Sequence, residues 1–529
     1  MRPIWKQVSS AILAALTTSL AHAARADEAA VSAPNAHAAE APTKRCQELR
    51  RALGGGPEPK LHLDIGAQCM RIELPLFATV RGEGVSSFPV DRFGSRFGPT
   101  PSVSPMLRLG ARFSTGLVFE PVLLLAEAEL DVPTGVVAPS PDLGGQGFPG
   151  SEGLDVELRK LHLRASVGSA LHLDLGVQTS HFGMGLVAND GAHGWEPGSA
   201  AFLDPRSGDR VLRAELSTGP HTPAHVALAV GADKVLRDDA LLEGDSARQF
   251  FGAVLFGVGT RTSGGAYLVR RHQESAGGRE TDVTIMDATG KASFDIPGAR
   301  LELATEWALI TGRTGLGATV ENPTHRVLEI GGAAHAALDA GAFGTVIDFL
   351  YASGDPSPSD TSEHGFHVDP NYAFGLLLFR HVTAAVSART AGLAGDPTLV
   401  GVPQDAERVA ARGGASNTVA FFPKLRYRPV PKLELYGGPL FAFANAPNID
   451  VFNTKIAGGT PRSPLGGDAG RYLGTELDLG ARYRTPLAGG DLVLGAEIGA
   501  VSPGNAFLDA SGAKMGAIYG GRAIARYRF

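Results

Sequence analysis

Residues 519–529 run Tyr519-Gly520-Gly521-Arg522-Ala523-Ile524-Ala525-Arg526-Tyr527-Arg528-Phe529, and their two faces differ in chemistry. Successive side chains of an extended chain point to opposite sides. Tyr519, Gly521, Ala523, Ala525, Tyr527 and Phe529 therefore share one face, while Gly520, Arg522, Ile524, Arg526 and Arg528 share the other. A strand face with this many guanidiniums needs water or carboxylate partners, because a buried unpaired charge is strongly unfavourable. The same contrast recurs upstream. Leu473, Thr475, Leu477, Leu479, Ala481 and Tyr483 alternate with Gly474, Glu476, Asp478, Gly480, Arg482 and Arg484. Leu171, Leu173, Leu175 and Val177 alternate with His172, Asp174, Gly176 and Gln178. One face suited to lipid and one to water is the pattern of a membrane-spanning strand in a closed barrel.

The rest of the chain agrees with this class. Arg2 and Lys6 precede an apolar stretch, Ala11 to Ala23, ending in Ala21-His22-Ala23, with a second small-x-small site at Ala24-Arg25-Ala26. Residues 1–26 are thus expected to be a removable signal peptide, too short to span a bilayer as a helix. No cysteine follows where a lipid anchor would attach. Residues 27–58 are rich in Ala, Glu and Pro and read as a flexible periplasmic arm, and 59–529 as the barrel. The 69 glycines disfavour long helices and suit turns and barrel bends. Cys46 and Cys69 are the only thiols, so in an oxidising compartment a disulfide between them is expected. They are too few for a zinc site. A net charge of −6 without a basic block gives no reason to expect nucleic acid as a partner. Aromatic residues make up only 7%, so Leu, Val and Ala are expected to provide most of the lipid contact.

The links between segments sort by length. Short ones fall at Thr115-Gly116, Gly168-Ser169, 219–223, 339–341, 429–431 and 485–490. Long polar ones fall at 131–154, 180–208, 234–247, 312–325, 354–370, 391–416, 445–470 and 502–515. Membrane barrels alternate short periplasmic turns with long external loops. If Phe529 is periplasmic, a strand must precede 104–115, and Leu61 to Val80 is the candidate, with an external loop at about 81–103. These features predict an all-β fold: a single transmembrane antiparallel β-barrel of about 18 strands, with 16 to 20 admissible. Residues 281–298 and 371–390 can each be read as one strand or two.

Strand parity assigns the lumen. Arg108, Arg112, His162, Arg164, Arg213, Glu215, Glu302, Glu306, Lys424, Lys432 and Glu434 are expected to face inward. Arg426, Arg428, Arg482, Arg484, Arg522, Arg526 and Arg528 are expected to form a basic wall that sets lumen selectivity, with Glu476, Asp478 and Glu497 neutralising part of it. The other reading of the same residues is a set of Arg–carboxylate ladders that hold the inner wall together. Glycine at inward positions is expected to leave the lumen open, since a filled interior would place bulkier side chains there. Ser180-His181, followed by Asn189-Asp190, is the densest group that could support nucleophilic chemistry. Neighbours on a strand point apart, so no catalytic residue is assigned and no enzyme is expected. Asp190, Asp204 and Asp209, and Asp355, Asp360 and Asp369, offer oxygen ligands for calcium but lack the spacing of an EF-hand, and read as solvated turn residues. No metal or cofactor is expected.

Two resemblances add to this. The ending Tyr527-Arg528-Phe529 resembles the β-signal by which the outer-membrane assembly machinery recognises its clients, which implies that machinery and outer-membrane lipid as partners. Phe349-Leu350-Tyr351-Ala352-Ser353-Gly354-Asp355, with Pro358, Asp360 and Phe366 following, resembles a strand-to-loop segment of alginate-export barrels. The stretch Phe182 to Gly191 is similar to a second such motif of large bacterial barrels. The resemblance implies an 18-stranded barrel with an arginine-lined lumen for an acidic polysaccharide or another anionic solute. The mixed Glu/Arg lumen departs from a purely electropositive conduit. The expected function is an outer-membrane channel for passive passage of small or anionic solutes; the alternative is a closed structural or surface-binding barrel acting through its external loops.

Overall fold

A computed structural model of the chain describes residues 62–65, 70–98, 100–115, 122–132, 156–168, 170–192, 199–202, 208–219, 225–317, 322–357, 360–394 and 410–529. The expected signal peptide, the arm and the Cys46–Cys69 pairing lie outside the described residues. A hairpin of β1 (His62–Ile65) and β2 (Met70–Glu73) comes first, then β3 (Leu76–Val85), and then a small hairpin of β4 (Phe88–Pro89) and β5 (Arg96–Phe97). The long strands follow: β6 (Thr100–Thr115), β7 (Val122–Val132), β8 (Glu157–Val167), β9 (Leu171–Thr179), β10 (Arg210–Ser217) and β11 (Val226–Arg237). Next are β12 (Ser246–Phe256), β13 (Thr262–Glu274), β14 (Glu280–Ile296), β15 (Ala299–Thr314), β16 (His325–Ala340) and β17 (Phe343–Ala352). A short β18 (Ser362–Glu363) runs parallel to β16. The chain ends with β19 (Thr418–Val430), β20 (Leu433–Phe443), β21 (Tyr472–Leu487), β22 (Gly490–Pro503) and β23 (Ile518–Arg528). Without β1, β2, β4, β5 and β18, eighteen strands pair antiparallel in chain order, and β23 pairs back onto β3 to close the barrel.

Two expectations about elements are corrected, and one open alternative is resolved. The expected first strand, Leu61 to Val80, is divided at Pro75, where the missing N–H interrupts pairing. Its barrel part runs on to Val85, because Arg81 and Glu83 continue the inward parity beyond the expected end. Residues 281–298 are one strand closed by a Pro297-Gly298 turn, with Gly298 at φ +76°. Residues 371–390 are not strand at all. They hold a π-helical turn, Leu378–Thr383, which runs into helix α1, Ala384–Ala394. The apolar run Phe374 to Phe379 lacks strand alternation, and the alanines after it favour helix. The expected loops 354–370 and 391–416 are therefore parts of one excursion, 353–417.

The outward face is apolar. Leu425 and Phe250 are each 69% exposed, and exposed Leu, Val and Phe recur on the outward parity of most strands. This belt, on a closed barrel with a charged inner wall, places the protein in the outer membrane. The aromatics are thin but not evenly so: Phe343 stacks on Tyr427, Phe443 packs on Tyr472, and Tyr519 stands exposed, all between β17 and β23.

External loops fold into the lumen. One apolar cluster joins Phe88 and Phe97 of the first loop (86–99), Leu186 and Phe202 of the third (180–209), Phe366 and Leu376 to Phe379 of the seventh (353–417), and Phe507 of the ninth (504–517). The barrel wall contributes Leu350, Phe422, Tyr436 and Leu440 to the same cluster. This corrects the expectation drawn from inward glycine. A Cβ on Gly331 would lie 2.1 Å from the Phe366 ring, and one on Gly520 would lie 2.6 Å from Leu377. The wall is small at these positions because the loops supply the bulk.

Candidate pore and its constriction

The seventh loop is held by two carboxylates of β21. Glu476 accepts hydrogen bonds from the N–H groups of Leu376 at 2.8 Å, Leu377 at 2.6 Å and Leu378 at 2.8 Å. Asp478 accepts a further one from Leu376 at 3.1 Å. Both acids are fully buried. They meet the chain where it enters the helical segment, whose first N–H groups have no partner within the helix and carry partial positive charge. Gly375, at φ +81°, makes the approach possible: a Cβ there would lie 2.9 Å from Leu440 and 3.3 Å from Glu476.

The third loop is held in the same manner from the opposite part of the sheet. Glu306 of β15, fully buried, accepts hydrogen bonds from Leu186 N–H at 3.0 Å and from Met184 N–H. The two loops then meet. Asp369 N–H donates to Leu186 C=O at 3.0 Å. Phe202 packs on Phe422 and Tyr436 with centroids 5.8 and 5.0 Å away, and Phe374 lies 6.0 Å from Phe422. Asp91 of the first loop caps its own turn and takes Arg389 of α1 at 2.7 Å. A short helix α2 (Val451–Ile456) of the eighth loop is N-capped by Asp450, which also accepts from Thr390. The loops thus form one docked body inside the external half of the barrel.

At the lower edge of that body, where Arg482 also donates to Ala201 C=O of the third loop, the inner wall is charged. Arg522 and Arg482 both reach Glu497, at 2.5 and 3.3 Å, and Arg482 lies over the Tyr436 ring, whose hydroxyl also donates to Glu497. Arg526 and Arg108 flank Phe77, and Arg108 grips Asp131 with two bonds of 2.6 and 2.9 Å. Arg426 reaches Asp339 at 2.8 Å, while Arg428 lies between Asp339 and Glu434. Arg484 pairs with Asp491 at 2.8 Å near the periplasmic turn, and Arg528 is exposed at the same lip. The expected residues therefore share one inner wall, but Glu476 and Asp478 face the docked loop, not the arginines.

Of the acids opposite these cations, parity reading places only Asp174, on the polar face of 171–178. Asp131, Asp174, Asp233, Asp339 and Asp348 are lumen partners of Arg108, Arg164, Arg213, Arg426 and Lys424. Their signal was the same alternation, one strand away. Arg159, 1% exposed and held by Glu129 at 2.5 Å, is another such case. Further down, inward side chains are wet: Arg112 and Arg164 keep 35% and 28% of their side-chain surface exposed, and Lys291, paired with Glu302 at 2.8 Å, keeps 53%. Ser180 and His181 do not form a catalytic pair, since Ser180 meets Arg213 at 3.4 Å and His181 turns to Asp190 at 3.8 Å. Asp209 accepts from Asn189 N–H.

No family model matches the chain, and no curated protein matches it. The resemblance of Phe349 to Asp355 to alginate-export barrels therefore gains no support. Among solved structures, the chain is similar to OccK7 (OpdD) of Pseudomonas aeruginosa at 14% identity and TM-score 0.46, covering 87% of this chain and 98% of that one. It is similar to OccAB4 of Acinetobacter baumannii at 10% identity and TM-score 0.49, covering 86% and 98%. OpdQ of Pseudomonas aeruginosa matches at 11% identity and TM-score 0.48, with the same coverage of 86% and 98%. At such values the architecture stands on the strand pairing of the chain itself.

Proposed function

We propose that this barrel is a constricted channel for small acidic solutes. The observation that carries this reading is the division of the lumen into a loop-filled external half and a periplasmic half where Arg112, Arg164, Arg484 and Arg528 keep contact with water. On β21 to β23 five guanidiniums line the inward parity, with Arg482 and Arg522 both meeting Glu497 and Arg484 and Arg528 exposed towards the periplasm. Guanidiniums in a narrow channel raise the local concentration of anions. A long acidic polysaccharide fits less well, because the path must pass loops docked by Glu306 and Glu476.

The experiment is a planar-bilayer recording of the purified full chain with small carboxylates added to one side. Steady conductance that a carboxylate blocks or carries supports the reading. An electrically silent barrel favours the other function, a closed barrel that binds through its external loops.

A further inference from the structure

The outward face of β11 to β13 carries charge where a membrane barrel should be apolar or aromatic. Parity is secure there: Asp233, Gln249 and Arg271 are buried on the lumen side, with Gln249 donating to Asp233 at 2.9 Å. Lys234, Arg248, Arg270 and His272 therefore face outward, and all four are exposed. Lys234 lies directly opposite Arg248, and Arg248 directly opposite His272. Like charges at directly opposed positions repel across a strand pair. Neither Lys234 nor Arg248 has an ion pair among the described residues. Arg270 and His272 share Asp282 of β14, at 3.5 and 3.2 Å. Glu274 and Glu280 oppose each other one outward step higher.

The patch sits at a definite height. Lys234 and Arg248 are each eight residues from the periplasmic ends of their strands, Val226 and Phe256. On a tilted strand that is about 20 Å, close to the upper edge of an apolar band about 25 Å tall. Leu228, Val230, Phe250, Phe256 and Leu268 lie below it, exposed and apolar. Higher on the same side, Arg313 and Arg326 form a second directly opposed outward pair.

From this juxtaposition we propose that the face of Lys234, Arg248 and Arg270 binds the phosphate of an anionic lipid headgroup in the outer leaflet, with the acyl chains lying on Phe250 and Leu268. A phosphate between Lys234 and Arg248 converts their repulsion into two charge-assisted contacts. Acyl contact with the leucine and phenylalanine surface supplies the rest, which makes a lipid, and not free phosphate, the ligand.

The test is native mass spectrometry of the purified barrel in detergent, titrated with a bis-phosphorylated glucosamine lipid, with zwitterionic phosphatidylethanolamine, and with inorganic phosphate. Lys234→Gln/Arg248→Gln is the variant, and its heat-modifiable migration confirms that it is folded. The phosphorylated lipid should bind the unmodified barrel tightly and the variant roughly 30-fold more weakly, as expected for the loss of two cations at an anionic surface. Its thermal unfolding midpoint should rise with that lipid only in the unmodified protein. Equal lipid binding by the variant, equal binding of phosphatidylethanolamine, or displacement of the lipid by millimolar inorganic phosphate would each overturn the proposal.

Discussion

Glu476 shows what one side chain does for the whole constriction. Its carboxylate receives three backbone N–H groups of the seventh loop in a buried setting. Hydrogen bonds to a charged group contribute about 1.5–3 kcal/mol each, and leaving those N–H groups unsatisfied adds a further cost. Glu476→Ala should release the start of the helical segment, which would appear in single-channel recordings as larger and noisier conductance with the barrel still folded. Unchanged conductance would show that the loop holds its place by apolar packing alone. The inward position of Glu476 was legible from its alternation with Leu477, and its partner was not. Nothing local in the sequence couples it to Leu376, about a hundred residues upstream, so the carboxylate reads equally well as a selectivity group. Gly520 teaches the converse: an inward glycine reads as empty space until Leu377 is seen to occupy it.

At the scale of elements, strands were more legible than loops, because a strand in a barrel repeats a two-residue rule set by lipid and water, whereas an in-folded loop obeys tertiary packing. Phe374 to Phe379 looked like membrane chain because it is apolar, and it is apolar because it is core. The turns Gly257–Arg261 and Ser275–Arg279 were missed for the simpler reason that they are short. The junction of the third and seventh loops adds a pH response. Burial, and then the carboxyl of Asp369, push Asp209 well above its ordinary 3.8. Burial likewise raises Asp369, against the hydrogen bond from Asn371. Asp238, Asp239 and Arg271 also face this junction. An acid raised in the folded state contributes stability that is complete below its unfolded value and is lost as pH rises through the folded one. Hydrogen exchange around Leu186 and Asp369, corrected for intrinsic rate, should accordingly quicken as pH rises above the ordinary carboxylate range. Asp209→Asn should flatten that dependence, and an equally steep profile in this variant would assign the response elsewhere.

At the scale of the molecule, closure depends on one seam. Phe529 exchanges hydrogen bonds with Leu76, and its ring stacks with Tyr527 and lies against Gly489. Phe529→Ala removes apolar contact from the seam and from the ending that resembles an assembly signal. It should lower the yield of heat-modifiable, membrane-integrated barrel several-fold in the cell. Refolding of the purified variant into detergent separates the two roles: normal refolding with poor yield in the cell points to the signal, and poor refolding to the seam.

Selectivity is also a property of the whole wall, since no single guanidinium there stands apart from the others. Neighbouring strands are about 4.8 Å apart, so β21, β22 and β23 bring Arg482, Arg484, Arg522, Arg526 and Arg528 into one field. Glu497 answers two of them and Asp491 a third, at the exposed periplasmic end where water weakens the pair. Arg484 and Arg528 stand exposed at the periplasmic lip, where the field of this wall extends about 10 Å at 0.1 M salt. Reversal potentials in a KCl gradient should then show chloride preference, more marked at low salt. Arg484→Ala with Arg526→Ala takes away two of these cations while leaving Glu497 its partners Arg482 and Arg522, so the fold should survive and the preference should weaken or invert. Cation preference in the unmodified barrel, or no shift in the variant, would mean that the arginines serve the wall as ladders and that the acidic-solute reading is wrong.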